Sequence, residues 1–210
     1  MTRTPVFDIG DTLLPSERMI RETVEEALRD EGYDEIPDFD IHDYNIYRPE
    51  EVRKWLEEHG FDSSAREITR EYLDRKQDFL VENGVIEVLK RCGEEFGPIG
   101  FISDNAVEAK EFYTDLLDRQ GVDYRGFVVS AEVGAKKPDE RIFRAFLDER
   151  DAAGEEFVYF GNHPERDAAC QEVGMEFVWV TRYETFTGSY DGPRTENLEY
   201  STVERFVSEK

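Results

Sequence analysis

Five short runs of apolar, β-branched and aromatic residues, alternating with helical patterns, constrain the fold of this chain more than any other feature. Each run is almost continuously apolar, which is typical of strands covered on both faces, as in a parallel sheet. The runs lie at residues 5–9, 99–103, 127–130, 157–161 and 177–181. Amphipathic helical patterns occupy residues 85–92, 106–119, 140–150 and 165–173. The alternation predicts an α/β fold with a doubly wound parallel sheet and right-handed crossovers.

The interval between residues 9 and 85 departs from this alternation because its patterns are helical throughout. Ser16 is expected to cap a first helix that stops at Gly32. Pro49 lies near the start of a second helix, which stops at Gly60. A third helical pattern starts near Ser63. We interpret the interval as a helical insertion.

This insertion is expected to divide the chain into two domains. Residues 1–14 and 84–210 would form the α/β core, and residues 15–83 an α-helical cap domain. A helical segment inserted after the first strand can act as a lid, and a helical layer against the sheet's edge is the alternative. Its aromatic and histidine side chains are candidates for substrate contact, although aromatics at helical spacing usually pack in a core. They are Tyr33, His42, Tyr44, Tyr47, Trp55 and His59.

The charge of the chain excludes some classes of partner. Fifty Asp and Glu residues face 26 Lys and Arg, which gives a net charge of −24. Such a surface repels nucleic acid and anionic membranes, so neither is an expected partner. We interpret the chain as a cytoplasmic, halophilic protein from a salt-accumulating organism; an ordinary acidic protein is the alternative. Neither a membrane-length apolar run nor a signal peptide is evident. Cys92 and Cys170 lie far apart in the sequence and are expected to be reduced.

Residues that can carry chemistry gather at the ends of the first two predicted strands. The first strand runs into Asp8, and the second ends at Ser103, which Asp104 follows. An Asx-turn that terminates the strand explains Asp8 equally well when this residue is taken alone. In an open parallel sheet, however, ligands bind beyond the carboxyl ends of the strands. The two strand ends are therefore expected to share one rim.

The later strands add to the same rim. Asn162 directly follows the fourth strand, and Asp167 lies five residues further on. Between the third and fourth strands, Lys136 and Lys137 precede Pro138 and a helix. A solvated lysine at a helix start is the simpler interpretation of Lys137. The convergence of a carboxylate, a hydroxyl, a lysine and a polar–acidic pair favours a functional site.

Four stretches of this chain resemble the motifs of the haloacid dehalogenase superfamily, whose phosphatases use an aspartate as nucleophile. FDIGDTL resembles the first motif and FISDNA the second. EVGAKKPDERIF resembles the third motif, and VYFGNHPERDAACQEVGM the fourth. The resemblance extends from Val6 to about Thr181 and includes a helical cap inserted after the first motif. It implies a hydrolase in which Asp8 is the nucleophile.

The resemblance also implies a division of roles among the other residues. Asp8 would attack phosphorus to give an aspartyl-phosphate, which water then cleaves. Mg²⁺ would lie between the attacking acid and the negatively charged phosphate. The implied metal ligands are Asp8, the carbonyl of Gly10, Asn162 and Asp167. The implied phosphate-binding residues are Ser103, Asp104 and Lys137, and Lys137 also offsets the charge of Asp8.

Two positions depart from the family pattern. The general acid two residues after the nucleophile is replaced by Gly10, and an acid follows one step later at Asp11. Asp11 either substitutes as the catalytic acid or caps the following turn. Asn162 stands where the fourth motif would supply a carboxylate, so it offers the metal an oxygen without a charge. Both departures are expected to give a slower enzyme.

Three functions are consistent with these residues. The first is a Mg²⁺-dependent phosphomonoester hydrolase that acts on a small phosphorylated metabolite. The second is the metal-independent 2-haloacid dehalogenase chemistry of the same superfamily, which also lacks the acid after the nucleophile. The third is a catalytically weak or silent relative that binds a ligand or a partner.

Overall fold

The computed structural model describes residues 2–41, 43–183 and 186–208 of the chain, so that His42 lies outside the described residues. The chain divides into two compact units. One contains Met1–Leu14 and Leu80–Lys210, and the other contains Pro15–Phe79. We call them the α/β unit and the helical unit. None of the described helices is long and apolar enough to cross a membrane.

Strands and helices alternate along the α/β unit as its sequence predicts. The α/β unit holds β1 (Thr4–Phe7), α4 (Val85–Phe96), β2 (Ile99–Ser103), α5 (Val107–Gln120), β3 (Tyr124–Val129), α6 (Ser130–Val133), α7 (Glu140–Arg150), β4 (Phe157–Gly161), α8 (Pro164–Asp167), β5 (Glu176–Val180), β6 (Arg194–Thr195) and α9 (Tyr200–Ser208). The helical unit holds α1 (Ser16–Asp30), α2 (Pro49–His59) and most of α3 (Ala65–Glu82).

The six strands form one parallel sheet in the order β3-β2-β1-β4-β5-β6. β1 lies between β2 and β4, so that Phe7 pairs with Phe101 on one side and with Phe160 on the other. All carboxyl ends therefore meet at one edge, and the ends of β2 and β4 flank the end of β1. The predicted doubly wound α/β fold is confirmed.

Both faces of the sheet are covered, which explains why its strands are continuously apolar. On one face, the rings of Phe127, Phe101, Phe7 and Phe160 follow one another across four strands at centroid distances of 5.1, 6.3 and 5.4 Å. The ring of Phe206 in α9 packs against this row. Because side chains alternate along a strand, the neighbouring residues lie on the opposite face. There they form a buried core together with residues of α7. This core includes Val6, Ile102, Val128, Tyr159, Phe143 and Phe146.

The helical unit has its own buried side chains. Trp55 is 1% exposed and packs against Phe39, His59 and Phe61 at centroid distances of 5.2, 4.7 and 5.7 Å. The buried Lys76 donates hydrogen bonds to the hydroxyls of two tyrosines, Tyr47 at 2.5 Å and Tyr72 at 2.8 Å. Trp55 therefore contributes to packing, in agreement with the simpler interpretation of aromatics at helical spacing, whereas His59 is exposed and lies against the Trp55 ring.

The structure differs from the sequence-based expectations at several element ends. Ser16 is the first residue of α1 rather than its cap, because Pro15 occupies the N-cap position and makes no side-chain capping hydrogen bond. The helix predicted at residues 165–173 is only one α-helical turn, α8, followed by 3-10 turns over Ala168–Val173. Gly60 ends α2 in the left-handed conformation, as predicted. The sequence did not indicate α6, β6 or α9.

Candidate active site

Asp8 lies at the carboxyl end of β1. Its backbone N–H extends the sheet pairing by donating to the carbonyl of Phe160 at 2.8 Å. The residue is 5% exposed, and its Oδ1 accepts a hydrogen bond from the backbone N–H of Ile9 at 2.8 Å. The backbone therefore fixes the orientation of a buried carboxylate at the rim of the sheet.

Lys137 joins Asp8 to two further groups. Its Nζ lies 3.0 Å from Asp8 Oδ2, 2.7 Å from Asp167 Oδ1 and 3.0 Å from the hydroxyl of Tyr159. These four residues form what we call the lysine cluster. The contact with Tyr159 is a hydrogen bond that Lys137 donates, and the contacts with Asp8 and Asp167 are ion pairs. The adjacent Lys136 is exposed, so only the second lysine of the pair belongs to the site.

Burial and charge act against each other within the lysine cluster. Burial raises the pKa of Asp8 to about 6, because desolvation outweighs the opposing effect of Lys137, and Asp167 raises the pKa further. Burial alone would lower the pKa of Lys137, but the carboxylates of Asp167 and Asp8 more than reverse this, so its pKa is raised. Lys137 is therefore charged at neutral pH, and metal-free Asp8 takes up a proton on mild acidification.

Asp167 reaches the lysine cluster because a glycine ends β4. A Cβ atom at Gly161 would lie only 2.5 Å from Asp167 Oδ2 and 2.7 Å from its Cγ. The same Oδ2 accepts a hydrogen bond from the backbone N–H of His163 at 2.8 Å. A larger residue at position 161 would therefore displace the carboxylate from Lys137. The sequence alone does not indicate this role of Gly161.

Ser103 and Asp104 lie at the end of β2, beside the end of β1. Ser103 is the last residue of the strand and is 2% exposed. Asp104 Oδ1 accepts a hydrogen bond from the backbone N–H of Lys137 at 3.0 Å. Asp104 thus holds the loop that carries the lysine. Its direct contact with a phosphate stays a prediction.

The segment after Asp8 is a tight turn. Leu13 N–H donates to the carbonyl of Ile9 at 2.9 Å, and Asp11 N–H donates to the carbonyl of Leu14 at 2.8 Å. Asp11 is 7% exposed and has a φ of +53°, in the left-handed region that aspartate tolerates better than most residues. Gly10 is not among the positive-φ glycines of the described residues. The turn therefore places its unusual backbone conformation at Asp11 and not at the glycine.

Asn162 connects the end of β4 to the turn after Asp8. It is 4% exposed, and its Oδ1 accepts a hydrogen bond from Thr12 Oγ1 at 3.4 Å. Its backbone carbonyl accepts a hydrogen bond from Trp179 Nε1 on β5 at 3.0 Å. The first and fourth motifs are thus in direct contact, as expected for the ends of neighbouring strands.

The oxygen atoms at this rim fit a magnesium ion in their chemistry. Among residues 2–41, 43–183 and 186–208, no three His, Cys, Asp or Glu side chains are grouped to hold a metal. A metal here would therefore also need neutral oxygen donors, such as the Asn162 amide and the Gly10 carbonyl. Mg²⁺ accepts such a set, because it binds one or two carboxylates and keeps several waters. Both oxygens of Asp167 already contact Lys137 or His163.

The structure adds Tyr159, Gly161 and Thr12 to the residues inferred from the sequence. Tyr159 lies within an apolar strand, where an aromatic side chain indicates packing and nothing in the pattern predicts a polar contact. Gly161 is visible in the sequence only as the end of a strand. Thr12 follows the motif of Asp8, and its contact with Asn162 spans 150 positions of the chain.

Comparison with known proteins gives one family. A family model described as haloacid dehalogenase-like hydrolase matches residues 6–180. The glyceraldehyde 3-phosphate phosphatase of Methanopyrus kandleri is 26% identical over 87% of this chain and 85% of its own.

Solved structures share the fold at low identity. YfnB from Bacillus subtilis, a HAD-hydrolase bound to magnesium, is 15% identical, with a TM-score of 0.63 over 98% of both chains. The 2-haloacid dehalogenase from Pseudomonas syringae pv. Tomato DC3000 is 22% identical, with a TM-score of 0.60 over 98% of this chain and 99% of that one. The model match over most of the chain confirms the resemblance seen in the four motifs. This chain belongs to the haloacid dehalogenase-like hydrolases.

Proposed function

We propose that this protein is a Mg²⁺-dependent phosphomonoester hydrolase that acts on a small phosphorylated metabolite. The observation that carries the proposal is the contact of Lys137 with both Asp8 and Asp167 at the carboxyl end of a parallel sheet. A buried carboxylate held against an ammonium group in this position is suited to attack an anionic substrate. The phosphatase from Methanopyrus kandleri, 26% identical, supports this reaction class.

Asp8 would act as the nucleophile. One of its carboxylate oxygens attacks phosphorus, the ester oxygen leaves, and water later cleaves the resulting aspartyl-phosphate. The reaction needs the ionised carboxylate, which in the metal-free protein predominates above the pKa of about 6. Ser103 and Lys137 would bind the oxygens of the phosphate as its charge redistributes.

The metal site would consist of Asp8, the Gly10 carbonyl and Asn162. Bound there, Mg²⁺ would supply positive charge that offsets the negative charges of the nucleophile and the phosphate. Asn162 contributes an oxygen without a charge, so we expect weaker binding of Mg²⁺ than with a carboxylate at this position. Asp167 stays a predicted ligand, although its contacts with Lys137 and His163 point first to holding the lysine.

Asp11 would protonate the leaving group in place of the acid that Gly10 lacks. It is the next acid along the turn, and its backbone is fixed by the hydrogen bond to Leu14. We further propose that the helical unit is a cap that selects the substrate. The Methanopyrus kandleri relative is a glyceraldehyde 3-phosphate phosphatase, and a phosphorylated metabolite of similar size is a suitable first substrate to test.

A metal-independent dehalogenase is the second candidate. Gly10 and Asn162 remove two carboxylates from the site, and Lys137 compensates the charge of Asp8 without a metal. Attack on the carbon of a 2-haloacid needs no cation to shield a phosphate. The structural likeness to the Pseudomonas syringae dehalogenase, at 22% identity, is consistent with this chemistry through the fold alone.

One set of assays separates the two candidates. Hydrolysis of p-nitrophenyl phosphate and of glyceraldehyde 3-phosphate is measured in molar KCl with Mg²⁺ and with EDTA, alongside chloride release from 2-chloropropionate. We expect Mg²⁺-dependent phosphate release that is lost in Asp8→Asn and kept in the matched surface variant Asp118→Asn. Acid quenching during turnover should trap one phosphoryl group on the wild type and on Asp118→Asn, and none on Asp8→Asn. Chloride release in EDTA without phosphate release would refute the phosphatase and support the dehalogenase.

A further inference from the structure

Tyr159 is the one member of the lysine cluster that the reaction proposed above does not use. Its side chain is fully buried on β4, and its hydroxyl accepts a hydrogen bond from Lys137 Nζ at 3.0 Å. The same hydroxyl donates to the backbone carbonyl of Ile102 at 3.0 Å. A buried phenol with both a donor and an acceptor contact is fixed in position and in the direction of its proton.

The two contacts of this hydroxyl join separate parts of the site. Ile102 lies on β2 immediately before Ser103, while Lys137 lies in the loop before α7. β2 and β4 are not adjacent, because β1 lies between them. Tyr159 therefore reaches across the strand that precedes Asp8. It connects the loop of the lysine to the strand end that carries the serine.

The surroundings of Tyr159 allow little alternative placement. Its ring packs edge-on against Phe143 at 5.5 Å and lies 6.4 Å from Phe177. Because the Tyr159 proton is given to Ile102, the lone pair of the hydroxyl faces the ammonium group. Without the phenol oxygen, the buried ammonium group would lose the acceptor of this hydrogen bond. Such a group moves towards another partner or towards water.

We propose that Tyr159 is a positioning residue that holds Lys137 in register with Asp8 and Ser103. This inference rests on the proposed phosphatase for its kinetic consequence. The tyrosine touches neither substrate nor metal in this role. It acts through the lysine, whose ammonium must be placed to within a fraction of an ångström to stabilise the transferring phosphate.

The kinetic test compares Tyr159→Phe with Tyr124→Phe. The first variant removes the hydroxyl and keeps the packed ring. The second removes a hydroxyl that binds the exposed Asp118 from the start of β3, at the opposite end of the sheet. We expect kcat/KM of Tyr159→Phe to fall at least about tenfold, since small misplacements of reacting groups have effects of this size. Inhibition by vanadate, a mimic of the transferring phosphate, should weaken by a similar factor.

The vanadate inhibition constant separates positioning from simple damage to the fold. A loss of folded molecules lowers the measured kcat, but it leaves the inhibition constant of the remaining molecules unchanged. Tyr124→Phe should match the wild type in both measurements. An unchanged vanadate constant in folded Tyr159→Phe would overturn the proposal.

A measurement without substrate keeps this test independent of the phosphatase assignment. The chain has seven lysines, so the ammonium signals in a ¹⁵N-lysine NMR spectrum are few, and loss of one in Lys137→Met identifies that of Lys137. We expect slow solvent exchange of this signal in the wild type and in Tyr124→Phe, and exchange at least tenfold faster in Tyr159→Phe. Unchanged exchange in Tyr159→Phe would refute the positioning role. Failure of phosphate release by the wild type would instead refute only the proposed reaction.

Discussion

Replacing Asp8 by asparagine should abolish turnover and also stabilise the metal-free protein. The side chain is buried in the folded protein, and its pKa rises there from 3.8 to about 6. A raised carboxyl pKa means that the folded state binds a proton more tightly than the unfolded state. The contribution of Asp8 to stability is therefore most favourable below pH 3.8, falls as the pH rises, and is fully unfavourable above pH 6. Asparagine removes this effect because it does not ionise.

The magnitude follows from the size of the shift. About two pKa units correspond to roughly 3 kcal/mol in the free energy of unfolding at neutral pH. For a chain of this length, about 3 kcal/mol should raise the melting temperature by roughly 6–12 °C. At pH 5 only about half of this gain should remain, because Asp8 is then mostly protonated in the folded state. Lys137 keeps Asp167 as its charged partner in the variant.

Thermal unfolding in EDTA between pH 5 and pH 8 tests this prediction. Asp118→Asn is the matched control, because it makes the same change in net charge at an exposed position. Mg²⁺ should stabilise the wild type more than Asp8→Asn, since a ligand that binds only the folded state raises its stability. The reasoning fails if Asp8→Asn is less stable than the wild type at pH 8, or if its gain is the same at pH 5 as at pH 8.

Three further predictions concern the charge and the motifs. The melting temperature should rise markedly between 0.1 M and about 2 M KCl because salt screens the net charge of −24, and a flat response would contradict the halophilic interpretation. In phosphatase assays across a Mg²⁺ series, Asn162→Asp should tighten the apparent affinity for Mg²⁺ about tenfold, and Gly10→Asp should raise kcat. A lower kcat in well-folded variants would show that Gly10 and Asn162 already suit the site. Gly161→Ala should lower kcat at least about tenfold, because the added methyl group would displace Asp167 from Lys137. A kcat equal to that of the wild type would exclude this displacement.

Much of the architecture could be predicted from the sequence because each motif follows a continuous apolar run. A parallel sheet brings the carboxyl ends of its strands to one edge, so the order of Asp8, Ser103 and Asn162 along the chain was enough to place them together. β6 could not be predicted because its two residues, Arg194 and Thr195, carry no apolar pattern and form a strand only by pairing with β5. Its existence depends on tertiary contacts and not on local preference.

The site itself could be predicted less completely because its geometry depends on contacts between distant positions. The hydrogen bond from Lys137 to Tyr159 links two motifs, and no local spacing indicates it. Likewise, the left-handed backbone of Asp11 follows from the turn that closes on Leu14. From the sequence alone, the neighbouring Gly10 is the residue that such a conformation would favour. Residue types indicated the chemistry that we propose, but only the folded chain shows which groups hold the others in place.

The two departures from the family motifs have one electrostatic consequence in common. Acids at positions 10 and 162 would add two carboxylates to a rim that already carries Asp8, Asp11, Asp104 and Asp167 beside Lys137, and buried like charges are tolerated only with compensation. The chain as it stands has Asp8 and Asp167 in direct contact with Lys137, so the lysine cluster carries a net charge of only −1 without metal. At the proposed metal site, Gly10 and Asn162 would therefore lessen the repulsion that Mg²⁺ offsets in the folded protein, and they would weaken the attraction of Mg²⁺ in catalysis. The change that we expect to tighten Mg²⁺ binding, Asn162→Asp, should therefore also lower the stability of the metal-free protein.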